Sequence, residues 1–232
     1  SLSSGGSQIS ELGGVTKNTN INEGGSQTVG GTDYNALVNA GGEQSVVSGG
    51  TAIETELHGG NQAVGNQGLA VGTDIYAGTQ TVQAGGSTDN TVILGGSQVV
   101  EDKGTAQNTN VYGGTQTVES GGAAVSTDLE GGNQIVDGTA TETKIYEGTQ
   151  TVESGGAAAS AVLEGGSQVV EGTATGTKIY EGAQTVQAGG VAKDTALYYG
   201  AQNIASQGIA SGTTVYNGTQ TVQQGGQAES TT

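Results

Sequence analysis

Glutamine recurs along this chain at a spacing that constrains the fold more than any other feature. Gln8, Gln27, Gln44, Gln62, Gln80, Gln98, Gln116, Gln134, Gln150, Gln168, Gln184, Gln202 and Gln220 follow one another at intervals of 16 to 19 residues, and eight of the twelve intervals are 18. Self-similarity at a fixed period of this size is the mark of a solenoid, in which each repeat buries its apolar face only by stacking on its neighbours. Forty-six Gly residues without a single Pro would otherwise suggest a low-complexity linker. Here the apolar residues keep phase with the Gly pairs, which disorder does not require.

Gly114–Gly132, GTQTVESGGAAVSTDLEGG, represents the unit. Two short segments alternate with period 2: Gln116-Thr117-Val118, and Thr127-Asp128-Leu129. Such segments are strands, with Gln and Val, or Thr and the aliphatic residue, turned inward and the residue between them outward. The inward positions recur as Val82, Val118, Val152, Val186 and Val222 in the first segment. In the second they recur as Leu57, Ile75, Ile93, Val111, Leu129, Ile145, Leu163, Ile179, Leu197 and Val215. A small residue, Ala124 in this unit, repeats near the Gly pair, where it lets the chain turn tightly around a narrow core. Gly at both corners supplies unusual backbone angles without steric cost. The units from Gln134 and Gln168 are two residues shorter at the first turn, as expected where turns face solvent. The unit from Gln27 is irregular, with Tyr34 and Ala36-Leu37-Val38 out of phase, and is expected to hold a bulge or loop.

The fold expected is all-β: a right-handed parallel β-helix of about twelve coils with an approximately 18-residue repeat. Crossovers between parallel strands are right-handed, and strands stacked about 4.8 Å apart make a rod on the order of 60 Å long. One repeat domain spans 1–232. A leucine-rich horseshoe would need an Asn ladder and longer apolar runs. The chain begins at Ser1 without Met and stops within a unit at Thr232, so it is expected to be a segment of a longer protein. No apolar run approaches membrane-spanning length.

Composition narrows the function. The net charge is −17, from 22 acidic residues against five Lys and no Arg. A phosphate backbone needs clustered cations, so nucleic acid is excluded as a partner, as is a bilayer engaged through a basic patch. With no Cys there is no disulfide or thiolate site, and with His58 as the only His, catalytic triads and imidazole metal sites lose their parts. Glu119, Glu130, Glu153, Glu164 and Glu171 recur with the coil and so are spread along the rod instead of gathered in a cleft. A carboxylate pair on adjacent coils would approach glycosidase spacing, which keeps a polysaccharide-processing β-helix as a remote alternative. No enzyme activity, metal or cofactor is expected.

Two columns remain. The Gln column fits an amide ladder like those of cross-β stacks, or a row of amides offered to a ligand. Tyr76, Tyr112, Tyr146, Tyr180, Tyr198 and Tyr216 each follow an inward aliphatic residue and so face outward. In a chain this poor in aromatics they either stack across strands to stiffen the sheet or contact a partner, for which an amphipathic ring is suited.

The unit G-[ST]-Q-x-V-x-x-G-G-x-A-x-x-T-x-[ILV]-x-x-G-G, clearest in Gly78–Thr91, Gly114–Gly132, Gly148–Gly166 and Gly218–Thr231, resembles the passenger repeats of AIDA-type, antigen 43-like autotransporter adhesins. The resemblance implies a secreted β-helix displayed on a Gram-negative cell surface after export across the outer membrane. It implies self-association, biofilm growth or attachment to a host surface protein or glycan. It also implies modification of Ser or Thr by a dedicated heptosyltransferase, with Ser48, Ser120 and Ser154, each just before a Gly pair, as the matching positions. The translocating barrel of such proteins is not in this sequence. A passive spacer that presents another domain is the alternative.

Overall fold

The computed structural model describes residues 1–232. It is built from parallel strands without a helix, stacked as a β-solenoid whose coils lie about 18 residues apart. Each coil carries three strands, one more than the alternation reveals. In the coil of Gln116 they are Thr115–Val118, Ala123–Val125 and Asp128–Leu129. The small residue near the Gly pair is therefore not part of a turn. Ala124 is the inward residue of a three-residue strand, and its row forms a 13-stranded sheet from Val15–Lys17 to Gln227–Glu229. A strand with one inward side chain has too little alternation to register as period 2, which is why it reads as a bend.

The inward files keep register along the whole rod, with shifts only at the corner after the aliphatic strand, around Asn39 and Ala77. Gln98, Gln116 and Gln134 are paired in sequence, as are Ala106, Ala124 and Ala140, and Val111, Leu129 and Ile145. The unit from Gln27 corrects the expectation of an out-of-phase stretch: Tyr34 pairs with Ile53, Leu37 with Glu56 and Val38 with Leu57. Its first turn is short, only Gly30-Gly31 between strands, and the expected bulge is at its third corner, where one extra residue makes Asn39 face both His58 and Gly59. Both changes fall at corners, two residues lost and one gained, so the unit is 17 residues long and the core stays in phase.

The core is thin. One fully buried aliphatic file runs from Ile21 through Val38, Leu57 and Leu129 to Leu197, and Val and Ala files line the other two strands. Along its centre runs the amide ladder. The Nε2 of each Gln donates to the Oε1 of the Gln one coil earlier, from Gln27 to Gln8 at 2.9 Å through Gln116 to Gln98 at 2.7 Å to Gln220 to Gln202 at 2.8 Å. Thr127 Oγ1 donates to Gln116 Oε1 at 3.0 Å, and Thr73, Thr109 and Thr195 do the same in their coils. Gln27 through Gln202 are buried, and every buried side-chain polar atom has a partner. Buried amides stay only where their hydrogen bonds are met, so the column is a structural ladder and offers nothing to a ligand. Asp33 joins it from the Ala row. Its fully buried carboxylate accepts from Thr16 Oγ1 at 2.6 Å, Gln27 Nε2 at 2.9 Å and Gln44 Nε2 at 3.0 Å.

Three corners close each coil. At the first, Gly122 N–H donates to Glu119 O at 2.8 Å with Gly121 at φ 81°, the signature of a type II turn. A Cβ on Gly122 would lie 2.5 Å from the Val100 carbonyl oxygen, so this position admits no side chain. The second corner, just before the inward Thr, was not foreseen. Asn18, Asn90, Ser126, Glu142 and Asp194 all sit there with φ between 53° and 58°, a left-handed conformation that costs ordinary residues roughly 1–2 kcal/mol. The third, after the aliphatic strand, carries the Tyr column.

Candidate interaction surface

The residue after the inward aliphatic one is held outward by the ladder itself. Tyr112 N–H donates to Ile93 O, Tyr146 to Leu129 O, Tyr180 to Leu163 O, Tyr198 to Ile179 O and Tyr216 to Leu197 O, at 2.8 to 2.9 Å. This fixes one side chain per coil on one corner, with His58, Leu94, Glu130 and Glu164 filling the coils between.

The column divides into two kinds of site. Tyr180, Tyr198 and Tyr216, on consecutive coils, stack with ring centroids 4.6 and 4.9 Å apart and planes within 8°. Tyr198 is stacked on both faces, and Tyr180 and Tyr216 on one face each. Tyr76 leans on His58 at 4.6 Å, and that imidazole reaches Glu56 Oε2 at 3.0 Å. Tyr112 and Tyr146 lie between non-aromatic neighbours, and Tyr112 is half exposed. Stacking and outward display thus coexist. Tyr199, the most exposed aromatic ring at 72%, was missed because one outward residue per coil was sought; the Tyr-Tyr pair was the signal for it.

Ser48, Ser120 and Ser154 all project from the first corner, on the far side of the Gln strand from the Tyr column, and are exposed. Ser206 occupies the same turn position in Ala205-Ser206-Gln207-Gly208 and was not foreseen, because Gln207 replaces the first Gly of the pair. Glu101, Glu119, Asp137, Glu153 and Glu171 follow the inward Val of five consecutive coils and line this corner with carboxylates. A shallow concavity on the aliphatic strand's face is lined by Asn35, Leu37, Glu54, Glu56 and Asp74. Burial, then the charges of Glu56 and Glu54, push the Asp74 carboxyl above its ordinary value.

No protein-family model and no curated protein sequence matches the chain. Among solved structures, it is similar to a TibC-catalysed, hyper-glycosylated fragment of TibA. The two share 36% sequence identity at a TM-score of 0.88, over all of this chain and 94% of that one. The chain belongs to the AIDA-type autotransporter adhesin passengers. An AIDA-type passenger is a secreted, surface-exposed rod, and the repeats here build such a rod. In the TibA fragment the glycosylation is the work of a separate catalyst, TibC.

Proposed function

We propose that this passenger segment is an adhesive rod of the bacterial outer surface that self-associates side by side through the corner bearing Tyr76, Tyr112, Tyr146, Tyr180, Tyr198 and Tyr216. It acts as one continuous repeat domain, 1–232, within a longer passenger. One observation carries the reading: an outward aromatic position stays in register over the rod in a chain with only eight Tyr and no Trp or Phe. Tyr brings an apolar ring and a wet hydroxyl to an interface at low entropic cost. Contacts weak at one coil add along the rod, because each engaged coil raises the effective concentration of the next. The stacked trio Tyr180, Tyr198 and Tyr216 forms a continuous aromatic ridge over three coils, which suits the flank of a second copy. Tyr112 and Tyr146, with no stacked neighbour, keep ring faces open to a host surface protein or glycan.

The test is display of the parent protein on cells, with these six Tyr replaced by Ser. Settling of the culture is expected to slow markedly, with surface display and folding unchanged. Settling indistinguishable from the unaltered protein overturns the role of the column and favours an inert spacer.

A second reading concerns modification. Ser48, Ser120 and Ser154 are exposed at one corner, and the similar TibA fragment is hyper-glycosylated. They are proposed acceptors for a heptosyltransferase of the TibC kind. Coexpression with TibC should add sugar masses to the intact chain, and an unchanged mass would remove this reading.

A further inference from the structure

Three coils lack a full first corner. Between their Gln and Ala strands stand only Gly30-Gly31, Asp137-Gly138 and Glu171-Gly172, where other coils have four residues. Each trimmed coil leaves a notch in the ridge, and the notches are not placed at random. Ser48 is on the coil after the first, Ser120 on the coil before the second, and Ser154 on the coil between the second and third. Ser206 has full corners on both sides, Gln187-Ala188-Gly189-Gly190 and Gln223-Gln224-Gly225-Gly226.

Backbone hydrogen bonds record the same difference. Where full corners are neighbours, the third turn residue donates its N–H to the carbonyl of the third turn residue one coil on. Gly189 thus bonds to Gln207 at 3.1 Å and Gln207 to Gly225 at 2.8 Å, so the Ser206 turn is tied on both sides. The Ser206 hydroxyl also lies over Gly225, where a Cβ would come within 2.8 Å of its Oγ. The Ser48 turn is tied on one side, by Gly49 to Gln67 at 3.2 Å, and so is the Ser120 turn, by Lys103 to Gly121 at 3.0 Å. Gly155, in the Ser154 turn, has no such bond to either neighbour. All four Ser are exposed, so exposure does not separate them.

The geometry points to the trimmed corners as built space for a covalently attached sugar, so that the notches, and not the Ser alone, decide which corners are glycosylated. This rests on the proposed glycosylation and adds its selectivity. Full corners stack at the strand spacing, about 4.8 Å, whereas a notch opens about twice that along the rod. A sugar ring on Ser154 or Ser120 can lie in the notch. On Ser206 it would have to displace the corner at Gly225. In the transfer, the Ser Oγ bonds to the anomeric carbon of a nucleoside-diphosphate sugar and the bond from that carbon to the diphosphate oxygen breaks. The nucleoside diphosphate leaves, and the Ser proton passes to a base of the transferase.

The experiment is coexpression of the chain with TibC, followed by site occupancy from peptide mass mapping. Ser154 should be the most fully modified, Ser48 and Ser120 next, and Ser206 several-fold less than any of them. Two variants test cause. Inserting Ala-Gly between Asp137 and Gly138 restores the full corner and should lower occupancy at Ser120 and Ser154 several-fold, with Ser48 unchanged. Deleting Gln224-Gly225 trims the corner beside Ser206 and should raise its occupancy. Circular dichroism checks that each variant keeps its β-solenoid. Occupancy of Ser206 equal to that of the other three or unmoved by the deletion, or occupancy of Ser120 and Ser154 unmoved by the insertion, overturns the notch rule while leaving glycosylation standing. If no Ser is modified at all, the glycosylation reading falls and the notch rule with it.

Discussion

Gln116 is held from three directions: its Nε2 donates to Gln98, and its Oε1 accepts from Gln134 Nε2 at 2.6 Å and from Thr127 Oγ1. A net hydrogen bond contributes only about 1 kcal/mol, but a buried partner left unmatched costs about 1–3 kcal/mol. Gln116→Leu fits the volume and breaks the ladder, so it should destabilise the rod by about 2 kcal/mol and lower the denaturant midpoint. Gln220→Leu removes the same amide from a half-buried position with one neighbouring amide. Its midpoint should hardly move. Equal shifts for the two would mean that burial of the ladder contributes nothing. Asp33 shows how strict this interior is: a carboxylate is accepted there only with three donors aimed at it.

At the scale of elements, the strands are conservative and the corners vary. Asp74 lies in the strand Asp74–Val82, next to Glu56 across the ladder and near Glu54 at the left-handed corner. A carboxyl whose folded pKa is raised binds its proton more tightly in the folded chain. Its effect on stability is therefore unfavourable above that raised value, and it disappears as the pH falls below the ordinary 3.8. Asp74→Asn should raise the melting temperature at neutral pH, and the gain over the unaltered chain should vanish in acid. A gain that persists at the lowest pH would assign the effect to packing instead of charge. The Gln, Val and aliphatic files were legible in the sequence because each repeats one side-chain chemistry in phase. The outward direction of Tyr76 or Tyr112 followed from the same alternation. The left-handed corner was not legible, since Asn90, Ser126, Glu142 and Gly72 share a backbone angle and no chemistry. The Ala strand escaped for want of alternation, and Ser206 because its turn lacks the Gly pair that marks the others.

For the whole molecule, the distribution of charge sets the conditions for the proposed side-by-side association. The acidic residues concentrate on corners, while the outward positions of the Gln strands, such as Thr79, Thr81, Thr115, Thr117, Thr149 and Thr151, carry charge only at Glu43. The Tyr corner is mixed, with Glu130, Glu147, Glu164 and Glu181 interleaved up to Tyr180 and none between Tyr198 and Tyr216. Two rods of net charge −17 repel at a distance however well their corners fit, and only salt removes that barrier. The Debye length is about 30 Å at 0.01 M and about 10 Å at 0.1 M, so low salt leaves whole flanks repelling and higher salt confines repulsion to charges in near contact. Side-by-side association through aromatic contacts should therefore strengthen as monovalent salt rises across this range, read as growth of the weight-average mass in light scattering. The six Tyr→Ser changes should remove most of that growth at high salt. Association that weakens with salt would instead place ion pairs, through Lys144 or Lys178, at the contact, and the corner of rings would lose its part in holding rods together.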